Sequence, residues 1–400
     1  MPSPLEGIRI VEMTSVVLGP YACQMLGDLG ADVIKVEPLE GDTNRNLGPH
    51  RNNSDMSSLY LNCNRNKRSI ALNLKSDDGK AALRELIKTA DVLIHNFRPQ
   101  AIERLGFSYD KVKELKSDII FCGAYGYAKN GPYGEKGALD DSIQAASGIA
   151  MLQSMVEGEP RYLPTIVADK TTALVVVQAV LAALFHRQRS GEGQEVEVPM
   201  FETMASYVMT EHLWGKTFEP AIGKTGYVRL MAKHRRPYKT KDGKYLAILP
   251  YWDNHWNTFC TLSGNPELGK DPRFLSMSLR LENINESYKA TGEIIATKTQ
   301  QEWLDLLGNT KVPMMVVNTL DSLLEDPHLV ETGFWQEAEH PTEGLIRMSK
   351  PPMNFSKTPA QIRSLAPRLG EHSVEVLIEA GMDKEVVNSM LEAGTLRLPN

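Results

Sequence analysis

Cysteine is scarce in this 400-residue chain, which contains four cysteines and no C-x-x-C pair. A secreted fold held together by disulfides is therefore excluded, and we expect a protein of a reducing compartment. The first residues, MPSPLEGIRIVEM, lack the basic and apolar regions of a signal peptide, so we expect a cytoplasmic location, with an organelle matrix as the alternative.

Long hydrophobic runs and excess positive charge are also lacking. The longest apolar run, Thr171–Phe185, has about 15 residues, whereas a membrane span needs roughly 20. We predict a buried helix there and no membrane association. The 44 lysines and arginines are outnumbered by 50 aspartates and glutamates, which leaves a net charge of −6. This balance argues against a nucleic-acid-binding face as the main function.

Three cofactor signatures are missing. The GKT segments at 215–217 and 223–225 do not complete a P-loop, because Thr210 and Phe218 replace its first glycine. The first βα turn lacks G-x-G-x-x-G, and the nine histidines form no H-x-x-x-H pair. We therefore expect no nucleotide cofactor, no metal site and no bound prosthetic group.

Strand and helix signals alternate through the first 200 residues. Ile8–Met13 and Asp32–Glu37 are short β-branched runs that flank a helical segment, which predicts a βαβ unit. The alternation continues through a long apolar helix at 168–187 to a strand at 194–198. This pattern predicts a doubly wound α/β fold.

The composition changes near residue 217. Residues 218–237 are rich in Gly, Lys and Arg, and the Asp242-Gly243 turn that follows predicts a hairpin. Amphipathic helices come next, so we place a smaller α+β domain at 225–325. A helix pair is predicted within residues 373–393.

Basic residues follow several predicted strands. Arg45 comes soon after the strand at 32–37, and Arg98 and Arg104 follow the strand in DVLIHNF. Open α/β sheets bind ligands at the ends of their strands, where arginines can hold phosphates. An ordinary solvated surface explains the same charges, so the pattern leaves both readings open.

Acidic residues precede two predicted helices. Asp169 stands at the start of the long apolar helix, where aspartate is a frequent N-cap. The same place suits a nucleophile, because a helix N-terminus favours the ionised carboxylate. Asp140 and Asp141 precede a short helix, and one of them is expected to cap it. Local pattern does not choose between capping and catalysis.

Several segments, taken in order, resemble the CaiB/BaiF family, the class III coenzyme A transferases. Each motif alone is weak, but their ordered co-occurrence is specific and covers essentially the whole chain. The segments are LEGIRIVEMT (5–14), MLGDLGADVIKVEPLEGD (25–42), NRNKRSIALNLK (64–75), ADVLIHNFRPQAIERLGFSYD (90–110), GYAKNGPY (126–133), D-x-x-x-Q-A-x-SG (140–148), SGEGQEVEVPMFE (190–202), LEDPHL (324–329), KPPMNFSKTP (350–359) and LGEHS (369–373).

The resemblance implies a fold and a reaction. It implies a large Rossmann-like domain built from both chain ends, at 1–220 and 330–400, around the smaller domain at 225–325. It also implies an interlocked homodimer. The reaction moves coenzyme A from an acyl-CoA to a small carboxylic acid through anhydride and aspartyl-CoA thioester intermediates, so coenzyme A thioesters are substrates.

The resemblance also implies the site residues. Asp169 falls on the catalytic nucleophile of the family. As a separate expectation, Asp140 assists Asp169. The coenzyme A site maps to Val16, Arg45, Asn96, Phe97, Arg98 and Arg104.

Two alternatives stay open. An α-methylacyl-CoA racemase of the same family needs a second acid/base group, but Leu139 stands where that branch has a histidine. A non-catalytic acyl-CoA-binding protein would not need Asp169.

The positive charge of His234, Arg235 and Arg236 favours an acceptor acid with a second carboxylate, hence a dicarboxylic acid.

Overall fold

The computed structural model describes residues 3–399. Its strands are β1 (Arg9–Met13), β2 (Asp32–Glu37), β3 (Lys67–Leu72), β4 (Val92–His95), β5 (Ile120–Gly123), β6 (Glu195–Glu197), β7 (Tyr238–Lys239), β8 (Tyr245–Ile248), β9 (Met314–Val316), β10 (Trp335–His340), β11 (Gly344–Ser349) and β12 (Leu396–Arg397). Its α-helices are α1 (Leu18–Asp28), α2 (Ser58–Cys63), α3 (Asp77–Lys88), α4 (Pro99–Leu105), α5 (Tyr109–Leu115), α6 (Asp140–Ala146), α7 (Ile149–Glu157), α8 (Val167–Ser190), α9 (Met200–His212), α10 (Asp253–Leu262), α11 (Met277–Glu282), α12 (Ile284–Ile295), α13 (Gln300–Leu307), α14 (Leu320–Leu324), α15 (Pro327–Glu331), α16 (Ser373–Glu379) and α17 (Lys384–Glu392).

A seven-stranded sheet organises the α/β part of the chain. Its order is β12-β3-β2-β1-β4-β5-β6, and only the edge strand β12 is antiparallel to its neighbour. The predicted α/β class with a large parallel sheet is confirmed. Since β2 and β4 both pair with β1, the strand order reverses there, and the loops at 14–17 and 96–98 meet at this switch point. Doubly wound sheets bind their ligands at such a point.

Most predicted elements form within a few residues of their expected bounds. β2 coincides with its predicted range, and β7 and β8 form the predicted hairpin. The antiparallel pair β10–β11 was not predicted, because its strands are largely exposed and lack a clear alternation of apolar residues.

Helix α8 is the long apolar helix of the sequence. It is 24 residues long and, among the described residues, the one helix long and apolar enough to cross a membrane by length and composition alone. It packs against α1 and buries one face, while Leu174 and Phe185 are 56% and 60% exposed. The prediction of a buried helix therefore holds for one face of α8 only.

The chain divides into two compact units. The first unit comprises Met1–Ile149, Tyr162–Tyr207 and Val330–Asn400, and the second comprises Ala150–Arg161 and Val208–Leu329. The second unit thus takes in residues 150–161 and 208–220, which the predicted bounds gave to the large domain. Its core is aromatic, and Trp256, Phe259 and Trp303 are fully buried in it.

Four charged side chains are buried across the middle of the large sheet. Lys35 of β2 donates to Glu12 of β1 at 3.2 Å and to Asp42 at 2.9 Å. Lys67 of β3 lies 2.8 Å from the other oxygen of Glu12. Burial alone would raise the pKa of Glu12, but the two lysines lower it, so the carboxylate stays ionised. These four residues, here called the buried charge network, offset each other's loss of hydration.

The buried charge network predicts a large cost for removing Lys35. Lys35→Met leaves Asp42 without its cation and Glu12 with one of its two, so the free energy of unfolding should fall by about 3–5 kcal/mol. Urea denaturation measures this. The control is Lys88→Met, which removes an exposed pair with Glu85 and should cost less than about 1 kcal/mol. Equal losses for both variants would contradict the structural role of the network.

Candidate active site

Asp169 lies in the first turn of α8 and faces a small cavity. The residue is 8% exposed, and the cavity has a volume of about 100 Å³. The cavity opens at the carboxyl ends of the central strands, as expected for a doubly wound sheet. Its lining residues are Ser15, Val16, Leu18, Asn96, Arg98, Ala124, Tyr125, Gly126, Lys136, Ala138, Leu139, Asp169 and Met200.

Asp140 caps the helix that carries Asp169. One oxygen of its carboxylate accepts from the backbone N–H of Ala168 at 2.7 Å and from that of Asp169 at 3.0 Å. The other oxygen accepts from Nε2 of Gln144 at 2.6 Å, and the Gln144 carbonyl oxygen accepts from the N–H of Leu163 at 2.8 Å. The expectation that Asp140 or Asp141 caps α6 is thus corrected for Asp140, which caps α8.

The neighbouring carboxylate changes the acidity of Asp169. Burial, and then repulsion from Asp140, raise the pKa of Asp169 to about 7. We expected the N-terminus of α8 to favour ionisation, but Asp140 already occupies the N–H groups of Ala168 and Asp169. Burial, together with the like charge of Asp140, therefore outweighs the attraction of the helix terminus for an ionised Asp169. Near neutral pH both forms of Asp169 are populated.

The loop after β1 forms one wall of the cavity. Val16 has a φ of +70°, a left-handed conformation that costs a β-branched residue about 1–3 kcal/mol. The side-chain amide of Asn96 accepts from the N–H of Ser15 at 3.2 Å and donates to its carbonyl at 2.9 Å. Gly19 allows the loop to pack closely on α1, since a Cβ there would lie 2.2 Å from Cβ of Thr14.

Asn96 and Val16, which the resemblance assigned to coenzyme A, thus lie at the cavity, and Asn96 is engaged in holding the loop. Arg98 lines the cavity too and donates to the carbonyl of Glu135 at 3.3 Å. Phe97 is 37% exposed beside it in the chain, outside the lining.

Lys136 is a cavity residue that sequence reasoning missed. Its ammonium lies 4.0 Å from the ring centre of Tyr133, and its side chain is exposed. With Arg98 it gives the cavity two cations beside one carboxylate. Such a set suits an anionic ligand that carries phosphates. The only signal in the sequence was a lysine in a glycine-rich turn before α6.

Arg45 requires a correction. Its guanidinium is fully buried, donates to both oxygens of Glu37 at 2.7 and 2.8 Å, and lies 3.8 Å from the ring centre of Tyr60. The structure contradicts its assignment to a coenzyme A phosphate, because an arginine with these partners has a structural role. Arg104 is exposed on α4 and lies outside the lining of the cavity.

His234, Arg235 and Arg236 belong to the second unit. Arg235 and Arg236 line a cavity of about 250 Å³ together with Tyr238 and Tyr288, and His234 is outside that lining. Among residues 3–399, no group of three or more His, Cys, Asp or Glu side chains is placed to share a metal ion.

Comparison with known proteins gives concordant matches. The sequence model of CoA-transferase family III matches residues 5–373. The chain is 30% identical to the succinyl-CoA:glutarate CoA-transferase of Homo sapiens, over 98% of this chain and 90% of that protein. It is 32% identical to the formyl-CoA:oxalate CoA-transferase of Streptomyces coelicolor, over 98% and 99%.

Solved structures agree in fold. A CaiB/BaiF family protein from Brucella suis superposes with a TM-score of 0.80 at 29% identity and covers 95% of this chain and 100% of that one. The protein Rv3272 of Mycobacterium tuberculosis gives a TM-score of 0.81 at 29% identity, with coverage of 93% and 98%.

Proposed function

The chain belongs to CoA-transferase family III, and from that premise we propose that it transfers coenzyme A between carboxylic acids through covalent intermediates on Asp169. The observation that carries this proposal is the placement of Asp169. Its carboxylate is buried, has a pKa of about 7 and lies in a cavity with Arg98 and Lys136. A carboxylate that is partly desolvated yet ionisable at neutral pH is suited to nucleophilic attack.

The proposed reaction has four exchanges. The Asp169 carboxylate attacks the thioester carbonyl of the acyl-CoA, which forms a mixed anhydride and releases the CoA thiolate. The thiolate attacks the side-chain carbonyl of Asp169, which releases the donor acid as its carboxylate and leaves an aspartyl-CoA thioester. The acceptor carboxylate attacks the side-chain carbonyl of this thioester, which forms a second mixed anhydride with Asp169 and frees the thiolate again. The thiolate then attacks the acceptor acyl group, which yields the new acyl-CoA and restores Asp169. No net proton is consumed.

The small size of the cavity supports covalent transfer. Anhydrides and thioesters hydrolyse when water reaches them, so a narrow space around Asp169 protects them. Arg98 and Lys136 supply the positive charge that coenzyme A phosphates need. We propose that Arg104, exposed on helix α4, extends this contact along the ligand.

The racemase alternative is less well supported. A racemase moves a proton between two groups on opposite faces of the α-carbon. Leu139, at the place of the second group, lines the cavity and is 70% exposed. It cannot carry a proton, and no histidine is among the lining residues. A non-catalytic acyl-CoA-binding role is disfavoured by the buried carboxylate, whose desolvation would serve no purpose there.

The proposed assembly is a dimer. We infer an interlocked homodimer in the cytoplasm, with an acyl-CoA and a small carboxylic acid as its ligands. Leu174, Phe185 and Tyr207 are each more than half exposed on the single chain. Large apolar side chains on one unit are suited to contact with a second copy.

Asp169→Asn should abolish transfer while coenzyme A still binds, because only the nucleophile is removed. The measurement is turnover together with intact-mass spectra after mixing with succinyl-CoA, a hydroxylamine trap and peptide mapping. The wild type should give a CoA adduct or a hydroxamate on the Asp169 peptide. The control Asp141→Asn should behave like the wild type. No adduct, with deuterium entering the α-carbon of a 2-methylacyl-CoA in heavy water, would show a racemase instead.

Asp140→Asn should move the acidic limb of the pH profile. Asp169 attacks only when ionised, so kcat/KM should fall as the pH drops through about 7. Removing the neighbouring negative charge lowers the pKa of Asp169, so the limb should shift to lower pH. The pKa should not return to the ordinary value of an aspartate, because burial still raises it. A limb that stays in place would show that Asp140 does not act on the charge of Asp169.

The acceptor is proposed to be a dicarboxylic acid, held at its second carboxylate by the positive charge at 234–236. Arg235 and Arg236 line the same cavity of the second unit beside Tyr238 and Tyr288. Replacing both by Gln should raise KM for four- and five-carbon diacids about tenfold more than for monoacids, as expected for a lost charged hydrogen bond. Lys233→Gln is the control. Equal effects on diacids and monoacids would contradict this choice of acceptor.

A further inference from the structure

The peptide at Ser15–Val16 is held entirely by side chains from other parts of the first unit. The N–H of Val16 donates to Oδ1 of Asp42 at 3.1 Å, and its carbonyl accepts from the side-chain amide of Asn44. Asn96 satisfies both backbone groups of Ser15. All four backbone polar groups of this dipeptide are therefore bonded before any ligand arrives.

Asp42 and Asn44 are themselves rigidly held. The second oxygen of Asp42 accepts from Lys35 of the buried charge network at 2.9 Å, and its backbone N–H donates to Glu37 at 3.0 Å. The backbone N–H of Asn44 donates to Oδ1 of Asp42 at 3.0 Å. Both side chains are buried, and neither lines the cavity of Asp169. They can act on a ligand only through Val16.

Val16 does not favour the conformation that it adopts. Residues other than glycine occupy the left-handed region in only a few per cent of cases, and β-branched residues less often. Without the hydrogen bonds from Asp42 and Asn44, the loop would leave this conformation, and the wall formed by Ser15 and Val16 beside Asp169 would move. The buried charge network, through Asp42, therefore holds a strained loop in place at the cavity.

We propose that Asp42 and Asn44 are positioning residues that hold Val16 in the left-handed conformation, so that the wall of the Asp169 cavity is fixed before the acyl-CoA binds. This inference rests on the proposed function, since it gives the wall a part in the transfer. It assigns no chemistry to either residue.

The test is a double-mutant cycle between Asn44→Ala and Val16→Gly. Without the hydrogen bond from Asn44, Val16 should adopt the left-handed conformation only part of the time. The enzyme can bind and transfer only in that conformation, so Asn44→Ala should lower kcat/KM about tenfold. Glycine visits that region about as readily as the right-handed one. In the Val16→Gly background, the same Asn44→Ala change should therefore cost only about twofold.

The readouts separate positioning from stability. Rates are measured per folded protein, well below the melting temperature, alongside the Kd for coenzyme A. The stability control is Asp28→Asn, which breaks a buried pair with Arg65 (2.8 Å) in the same unit and should lower the melting temperature but leave kcat/KM unchanged. Equal Asn44→Ala losses in both backgrounds, or a similar kcat/KM loss in Asp28→Asn, would overturn the inference.

Failure of the proposed function would look different. The wild-type protein itself would then form no adduct on Asp169 with succinyl-CoA. If wild type forms the adduct at its normal rate and Asn44→Ala does so equally fast, transfer stands and the positioning role is wrong. If Asn44→Ala does not fold, Asp42→Asn replaces it in the same cycle, since it weakens the hydrogen bond to the N–H of Val16 while keeping the side-chain shape.

Discussion

The buried charge network beneath the switch point is the interaction on which the site depends. Three parallel strands contribute charges to it, and each charge is stable in the interior only because the others are present. Asp42 belongs to the network with one oxygen and to the Ser15–Val16 loop with the other. The position of the strands therefore fixes the position of the cavity wall through Asp42. The same central strands form the core of the fold and hold the loop that lines the cavity.

The second constraint is the competition of two carboxylates for one helix terminus. Asp140 accepts hydrogen bonds from the N–H groups that would otherwise stabilise an ionised Asp169. The result is a buried carboxylate whose charge is not fully compensated by the protein. A nucleophile that is too well stabilised as an anion would be a poor one, so this arrangement suits the role proposed for Asp169.

The sequence predicted what depends on periodicity and little of what depends on distant contacts. β2 and α8 follow from local apolar patterns, and Asp169 was identified because the resemblance placed a nucleophile there. The cap from Asp140 joins residues 28 and 29 positions apart, which no local pattern reveals. Arg45 was misassigned because an arginine after a strand looks the same whether it faces phosphate or Glu37. Glu12 and Lys35, charges within otherwise apolar strands, were the available signal for the network.

The edge strand β12 has a consequence for how the chain is made. β3 is complete at residue 72, but among residues 3–399 its outer edge is paired only by residues 396–397. During synthesis that edge therefore stays open until residues 396–397 leave the ribosome, and the whole second unit is produced in between. An open edge invites pairing with other chains. A nascent chain of this topology thus needs residues 396–397 to cover that edge, and a chain whose synthesis stops before them would be prone to aggregate.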